Sequence, residues 1–299
     1  MREEERGPKA GQSVLQDLLG ARSYKLEEAM RRTWIDLNSD MGESFGNFVL
    51  GRPEEVMKRI SHANIACGFH AGDPTWMRRT VGWAKQYGVT IGAHPGFPDL
   101  MGFGRRLMNI TLQEAADYVV YQAGALKAFC EMHGLKLQAG KPHGAFYSWS
   151  ILSEDNARAV LEGFRAIDPD LTLYLPALPH FPLIATAEKM GFRVVKEFYP
   201  GLSYDDKGAI TVKRTYGTES VEEIVELVLR FALDGKTTTT TGTVIDVEGD
   251  SVCVHGDVVN APEVLDGLHA ALQREGIEVR SAIYARQEAQ LPLRRRARA

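Results

Sequence analysis

Acidic and amide side chains recur at every second position in the segment DLNSD. Side chains at alternate positions of a β-strand share a face, so Asp36, Asn38 and Asp40 are predicted to point the same way. Glu43 follows in the next loop. Polar groups facing a sheet or barrel interior are costly unless they are hydrogen-bonded or used. Clustered carboxylates can bind a cation or separate into a general acid and a general base, so we interpret this segment as functional rather than as a structural network.

Histidines lie at the ends of four further apolar runs, which read NIACGFH, VTIGAHP, LKLQAGKPHG and SVCVHGD. One such histidine is more often structural, but four at predicted strand ends indicate a common site. They are His70, His94, His143 and His255, and the same segments or their loops add Asp73, Arg105, Arg106, Lys141, Tyr147 and Asp257. The two arginines suit a carboxylate or a phosphate. We interpret the other histidines as background in helices or loops, namely His62, His133, His180 and His269.

The elements that must position these residues alternate along the chain. Predicted strands and amphipathic helices follow one another from Trp34, a pattern typical of a parallel sheet with right-handed crossovers. About seven such units predict an α/β fold, a (β/α) barrel of about seven parallel strands, and a doubly wound open sheet is the alternative. The polar strand ends favour the barrel, where the carboxyl ends converge on one site. We expect an N-terminal extension with one amphipathic helix over residues 1–33, the barrel over 34–285 and a basic tail over 286–299.

Composition and charge exclude several classes of function. The 299 residues include 35 basic and 39 acidic side chains, and a net charge of −4 gives no electrostatic case for nucleic-acid binding. Three cysteines without paired spacing argue against a disulfide framework, and packing is the expected role of Cys67 and Cys253. No run of 18 apolar residues and no signal core occur, so we expect a cytoplasmic protein without a membrane span. The sequence contains no recognisable nucleotide-binding loop.

Taken together, five segments resemble the LamB/YcsF family, the A-subunit proteins of 5-oxoprolinase, over residues 34–279. They are DLNSDMGESFG, ANIACGFHAGD, IGAHPGFPDLMGFGRR, KPHGAFY and VCVHGD. The resemblance implies a (β/α) barrel of the glycoside hydrolase/deacetylase type. It also implies a part in the ATP-dependent opening of 5-oxo-L-proline, with ATP used by the partner B and C subunits of 5-oxoprolinase. The family's polar positions fall on Asp36, Asn38, Asp40, Glu43, His70, Asp73, His94, Lys141, His143, Tyr147, His255 and Asp257.

One segment departs from the family pattern, which usually reads Glu-x-Phe-Ala-Asp-Arg-x-Tyr. This chain reads EFYPGLSY, so Gly201 and Leu202 replace an acidic and a basic residue. If the family's arginine binds a substrate carboxylate, this chain acts on a different lactam or cyclic amide. If the pair only stabilises a loop, the substrate is unaffected.

The leading hypothesis is therefore a subunit of a cyclic-amide hydrolase. Asp40 or Glu43 would be the general base, and Lys141 and His143 would polarise the carbonyl. The predicted substrate-binding residues are Asp36, Asn38, Asp73, Arg105, Tyr147, His255 and Asp257. A second hypothesis is a stand-alone, metal-dependent amide hydrolase or deacetylase with a divalent ion on Asp40, His70 and His94. A third is a non-enzymatic scaffold for the B- and C-type subunits.

Overall fold

The computed structural model describes residues 32–177, 181–206, 210, 211, 218 and 220–289. The compact unit that carries the fold begins at Trp34. The predicted N-terminal amphipathic helix and the basic tail beyond residue 289 lie outside the described residues, as does His180.

Within the described residues, seven parallel strands close into a barrel. They are β1 (Trp34–Met41), β2 (His62–Ala66), β3 (Thr90–His94), β4 (Ala139–Gly140), β5 (Thr172–Pro176), β6 (Arg193–Phe198) and β11 (Ser251–Cys253). The ring closes because β11 pairs with both β6 and β1. The predicted barrel is confirmed, and the open-sheet alternative is wrong. A short strand, β12 (Glu278–Val279), pairs with the beginning of β1 beside the ring.

Helices surround the barrel and follow most of its strands. They are α1 (Pro53–Met57), α2 (Pro74–Tyr87), α3 (Leu112–Met132), α4 (Gly144–Ser150), α5 (Glu154–Ile167), α6 (Pro182–Lys189), α7 (Val221–Asp234), α8 (Ala261–Arg274) and α9 (Ala282–Ala289). The predicted start of α3 is confirmed, since Thr111 and Glu114 form a capping box. The helix predicted to run through residue 63 ends at Met57. The described part of the chain shows no helix with the length and apolarity needed to cross a bilayer.

Two antiparallel pairs lie outside the barrel. Strands β7 (Ser203–Tyr204) and β8 (Ile210–Thr211) pair after β6, next to the site. Strands β9 (Lys236–Thr238) and β10 (Val244–Asp246) pair between α7 and β11. The second pair is the segment predicted only as extended.

A chain of hydrogen-bonded polar side chains fills part of the barrel interior. The Asn64 amide donates to Asn38 at 2.9 Å and to Asp40 at 3.0 Å. The Asn38 amide donates to the Ser251 hydroxyl at 2.7 Å, and Ser251 donates to Asp36 at 2.6 Å. These residues lie on β1, β2 and β11, so the network ties the strands together and holds Asp40 from below.

The far end of this network is closed by Tyr174 and the start of α9. Asp36 accepts hydrogen bonds from the Tyr174 hydroxyl at 3.0 Å and from the Ala282 backbone N–H at 2.7 Å. Complete burial raises the pKa of Asp36 to about 7. His62 stacks on Tyr174 with ring centroids 4.0 Å apart. The prediction that His62 lies in a helix or loop was wrong: it is the first residue of β2 and is fully buried.

Candidate functional site

Polar side chains from the carboxyl ends of several strands surround one cavity of about 150 Å³. Asp40 is near the end of β1, His94 ends β3, Lys141 directly follows β4 and His255 follows β11. The polar lining is Asp40, His94, Arg105, Lys141, His143 and His255. The structure thus brings together three of the four histidines predicted to share a site, and His70 stacks on the ring of His143 at 3.7 Å between centroids.

Lys141 is the charged centre of this cavity. Its ammonium lies 2.9 Å from Asp40 Oδ1, 3.3 Å from Glu197 Oε1 and 3.4 Å from Cys253 Sγ. Burial alone would lower the pKa of Lys141, but the negative charges around it hold that pKa well above its usual value. Burial would likewise raise the pKa of Asp40, but His94 and Lys141 hold it well below its usual range. The site therefore presents an ammonium beside an ionised carboxylate.

Glu43 has the opposite electrostatic environment. Burial and the charges of Asp40 and Asp257 raise its pKa well above the usual value. Its Oε1 atom lies 3.2 Å from His70 Nε2 and 3.9 Å from His143 Nδ1. Two neighbouring carboxyl groups with pKa values displaced in opposite directions are typical of acid–base chemistry. Asp40 is the one of the two that lines the main cavity.

Backbone carbonyls orient the two central histidines. His94 Nδ1 lies 2.8 Å from the carbonyl oxygen of Lys141, and His143 Nε2 lies 2.8 Å from that of Phe103. The remaining nitrogens, His94 Nε2 and His143 Nδ1, face one another at 3.0 Å. Both ring nitrogens of His143 are thus engaged, which leaves Lys141 as the more direct donor to a bound carbonyl.

The glycines of the loop after β3 allow this packing. Gly104 has a φ of +62°, and a Cβ atom there would lie 2.6 Å from His70 Cβ and 2.9 Å from His143 Cδ2. A Cβ atom at Gly96 would lie 2.6 Å from His70 Nδ1. The segment HPGFPDLMGFG therefore wraps its backbone directly over the imidazole rings, and a side chain at either glycine would displace them.

Two groups of side chains could hold a metal ion, and in each group the donor atoms lie within 4.8 Å of one another. The first is Glu43, His70, His94 and His143, and the second is Asp40, Cys253 and His255. The predicted set of Asp40, His70 and His94 is divided between them. Asp40 does approach the first group, since its Oδ2 atom lies 3.4 Å from His94 Nε2.

Several predicted site residues have other positions. Asp36 and Asn38 belong to the network inside the barrel, below the cavity, because a strand's alternation gives the face of a side chain and not its depth. Asp73 caps α2 by accepting from the backbone N–H groups of Thr75 and Trp76, and it also accepts from Gly46. These three residues are not among those lining the cavity. Arg106 pairs with Asp99 on the outside of the loop.

The remaining predicted residues lie at the cavity or beside it. Tyr147 lines the wall. Asp257 lies 3.9 Å from Arg105 and shares a smaller crevice with Asp40 and Glu43. The His70 prediction needs one correction of detail: β2 ends at Ala66, so His70 reaches the site from a loop rather than from a strand end.

Sequence reasoning missed two residues of the site and most of its apolar wall. Glu197, fully buried on β6, contacts Lys141, and Tyr199 donates to Glu197 and lies against Lys141, whose Nζ is 5.2 Å from the ring centroid. A glutamate within the apolar run FRVVKEF was the available signal. The apolar wall is formed by Ile151, Pro176, Phe181, Leu202 and Ile210.

A closed parallel barrel with a polar cavity at the carboxyl ends of its strands has the architecture of barrel enzymes. Residues 35–287 match the LamB/YcsF family, and the chain belongs to that family.

Similar proteins carry names consistent with this assignment. A Pyrococcus horikoshii protein, named as the A subunit of 5-oxoprolinase, is 46% identical over 247 residues, covering 82% of this chain and 96% of the relative. A Pseudomonas syringae protein, named as 5-oxoprolinase A subunit 2, is 43% identical over 249 residues, covering 83% and 98%. The crystal structure of a lactam utilization protein from Thermus thermophilus superposes with a TM-score of 0.76 at 41% identity, covering 83% of this chain and 99% of that one.

Proposed function

We propose that this chain is the amide-opening subunit of an ATP-dependent, 5-oxoprolinase-like hydrolase. Its substrate is the cyclic amide of 5-oxo-L-proline or a related lactam. The observation that carries the proposal is the ion pair of Lys141 and Asp40, 2.9 Å apart on the wall of a cavity sized for a small molecule. The names of the family relatives supply the substrate class.

The chemistry follows from the charges at this pair. Asp40, held ionised, takes a proton from a water molecule as the water oxygen attacks the carbonyl carbon. Lys141 stabilises the negative charge that develops on the carbonyl oxygen. The C–N bond then breaks, and the proton on Asp40 passes to the departing nitrogen. Water is thereby divided between the new carboxyl and amine groups. These roles follow the predicted ones, except that Lys141 acts without His143 as the oxyanion donor.

ATP enters this scheme through partner subunits. The sequence has no nucleotide-binding loop, and the relatives are named as the A subunit of an enzyme. We therefore assign ATP hydrolysis to B- and C-type subunits and place the complex in the cytoplasm, where ATP is available.

The decisive experiment is a reconstituted assay of ring opening. The purified chain is mixed with 5-oxoproline or 2-pyrrolidinone, with and without ATP and B- and C-type subunits, and the amino acid product is measured. We expect turnover only in the complete mixture and none with Lys141→Met. Lys136→Met, which removes an exposed lysine, is the matched control and should retain activity.

Other outcomes separate the alternatives. No turnover of any lactam in the complete mixture would overturn the proposal. Efficient turnover by the isolated chain without ATP would favour the stand-alone hydrolase. If Lys141→Met bound the partners and retained full turnover, the chain would be the non-enzymatic scaffold.

A further inference from the structure

We infer that Glu43, His94 and His143 form a binding site for one divalent transition-metal ion of the zinc type, beside the proposed amide-opening site. The donor atoms are His94 Nε2, His143 Nδ1 and Glu43 Oε1, and His70 positions the glutamate. The inference is independent of the proposed substrate, because it rests on donor geometry alone.

The tautomers of the two histidines are the first argument. A backbone carbonyl only accepts hydrogen bonds. The carbonyl of Lys141, 2.8 Å away, therefore fixes the proton of His94 on Nδ1, and the carbonyl of Phe103, also at 2.8 Å, fixes that of His143 on Nε2. The lone pairs of His94 Nε2 and His143 Nδ1 are then left facing one another at 3.0 Å. Two opposed lone pairs repel, and a shared cation removes the repulsion.

The separations of the donor atoms are the second argument. Ligands bound to zinc at 2.0–2.1 Å in a tetrahedron lie about 3.3 Å apart. The two histidine nitrogens are 3.0 Å apart, and Glu43 Oε1 lies 3.9 Å from His143 Nδ1. The imidazole planes of His94 and His143 are inclined at 89°, so their in-plane lone pairs can meet at one point. Small movements of side chains would complete the coordination.

His70 has a supporting role rather than that of a ligand. Its ring is parallel to that of His143, with an angle of 4° and 3.7 Å between centroids. Parallel stacked rings cannot both direct lone pairs at one ion. His70 Nε2 lies 3.2 Å from Glu43 Oε1, so its N–H orients the carboxylate, as partners of metal ligands commonly do. Burial also holds the pKa values of His70 and His143 well below their usual value, which favours the neutral imidazoles that bind metals.

The chemistry of the donors selects the class of metal. Two imidazole nitrogens and one carboxylate oxygen suit zinc, cobalt or a similar ion, whereas magnesium and calcium prefer oxygen ligands alone. Three protein ligands leave a position open for water. Asp40 Oδ2 lies 3.4 Å from His94 Nε2, which places the ion next to the proposed base.

The second donor group does not compete for the ion. Asp40 and Cys253 already surround a cation, because Lys141 Nζ lies 2.9 Å from Asp40 and 3.4 Å from the Cys253 sulfur. An ion bound there would meet the lysine ammonium. The histidine group contains no such positive side chain.

The test measures metal binding in the full chain without substrate, ATP or partners, so its failure is distinguishable from that of the lactam assay. The protein is stripped with a chelator, dialysed against zinc or cobalt and analysed by elemental mass spectrometry. We expect about one zinc per chain. The cobalt form should show visible d–d absorption typical of four or five ligands including nitrogen. Glu43→Gln and His94→Gln should weaken zinc binding by at least about tenfold, whereas His269→Gln, on α8, should not.

The inference is overturned if the folded wild-type chain retains no zinc after dialysis. It is also overturned if the double variant His94→Gln/His143→Gln binds zinc as tightly as the wild type. Circular dichroism monitors the folding of each variant, and the wild-type titration decides the existence of the site even where a variant does not fold.

Discussion

We expect this protein to prefer an uncharged lactam over 5-oxoproline, because Leu202 lies in the cavity wall. Leu202, Ile210, Phe181 and Ile151 form an apolar side of the cavity. On the polar side, Lys141 already lies against Asp40 and Glu197. A substrate carboxylate on the apolar side would therefore leave water without a charged partner in return.

The magnitude follows from the missing hydrogen bond. A hydrogen bond to a charged group contributes roughly 1.5–3 kcal/mol, and arginine can form two in parallel with a carboxylate. At about 1.4 kcal/mol for each factor of ten, placing arginine at Leu202 should strengthen 5-oxoproline binding by about 10- to 150-fold. Binding of 2-pyrrolidinone, which lacks the carboxylate, should change little or weaken as apolar area is lost.

Calorimetric titration with the two lactams measures this preference directly. The wild type, Leu202→Arg and the apolar control Leu202→Met are compared under one set of conditions. Leu202→Met keeps the side-chain volume and should retain the wild-type order of affinities. The reasoning is refuted if the wild type binds 5-oxoproline at least about tenfold more tightly than 2-pyrrolidinone, or if the Arg and Met variants shift the preference equally.

Three further outcomes test the structural assignments. Burial raises the pKa of Asp36 from 3.8 to about 7, so its contribution to stability is complete below about pH 4 and is lost as pH rises toward 7; urea unfolding of Asp36→Asn should lack this decline, which amounts to at most about 4 kcal/mol. Gly104→Ala should abolish the metal site and lower the melting temperature more than Gly134→Ala, because both glycines have positive φ but only Gly104 packs on His70. Asp73→Ala should cost about 1 kcal/mol of unfolding free energy while leaving KM unchanged, and Asp73→Ser should restore most of it; a raised KM in both would return Asp73 to the substrate site.

The barrel and the face of its polar side chains could be predicted, but their depth could not. Alternation along DLNSD correctly placed Asp36, Asn38 and Asp40 on one side of β1. Each step of two residues advances about 7 Å along a strand, so Asp36 lies well below the cavity that Asp40 lines. The pairing of β1 with β11, which brings Ser251 to Asp36, determines this level, and it depends on residues far apart in sequence.

The errors at His62 and Glu197 have a common cause. The helical periodicity of PEEVMKRIS continues toward His62, but pairing of β2 with β1 and β3 makes that residue part of a strand. Glu197 interrupts an apolar run and acquires its meaning only opposite Lys141, 56 positions earlier in the numbering. Local patterns describe one element, whereas these contacts arise when elements from distant parts of the chain meet.

Lys141 makes the fold and the site depend on each other. It follows β4, yet its ammonium lies against Asp40 of β1 and Glu197 of β6, so one side chain connects three strands across the barrel mouth. Removing one member of a buried ion pair typically costs about 3–5 kcal/mol, because the remaining charges are left unpaired. The same charges hold Asp40 ionised in a cavity where burial alone would favour its protonated form. The arrangement that stabilises the barrel mouth is thus also the one that keeps a base available to a bound cyclic amide.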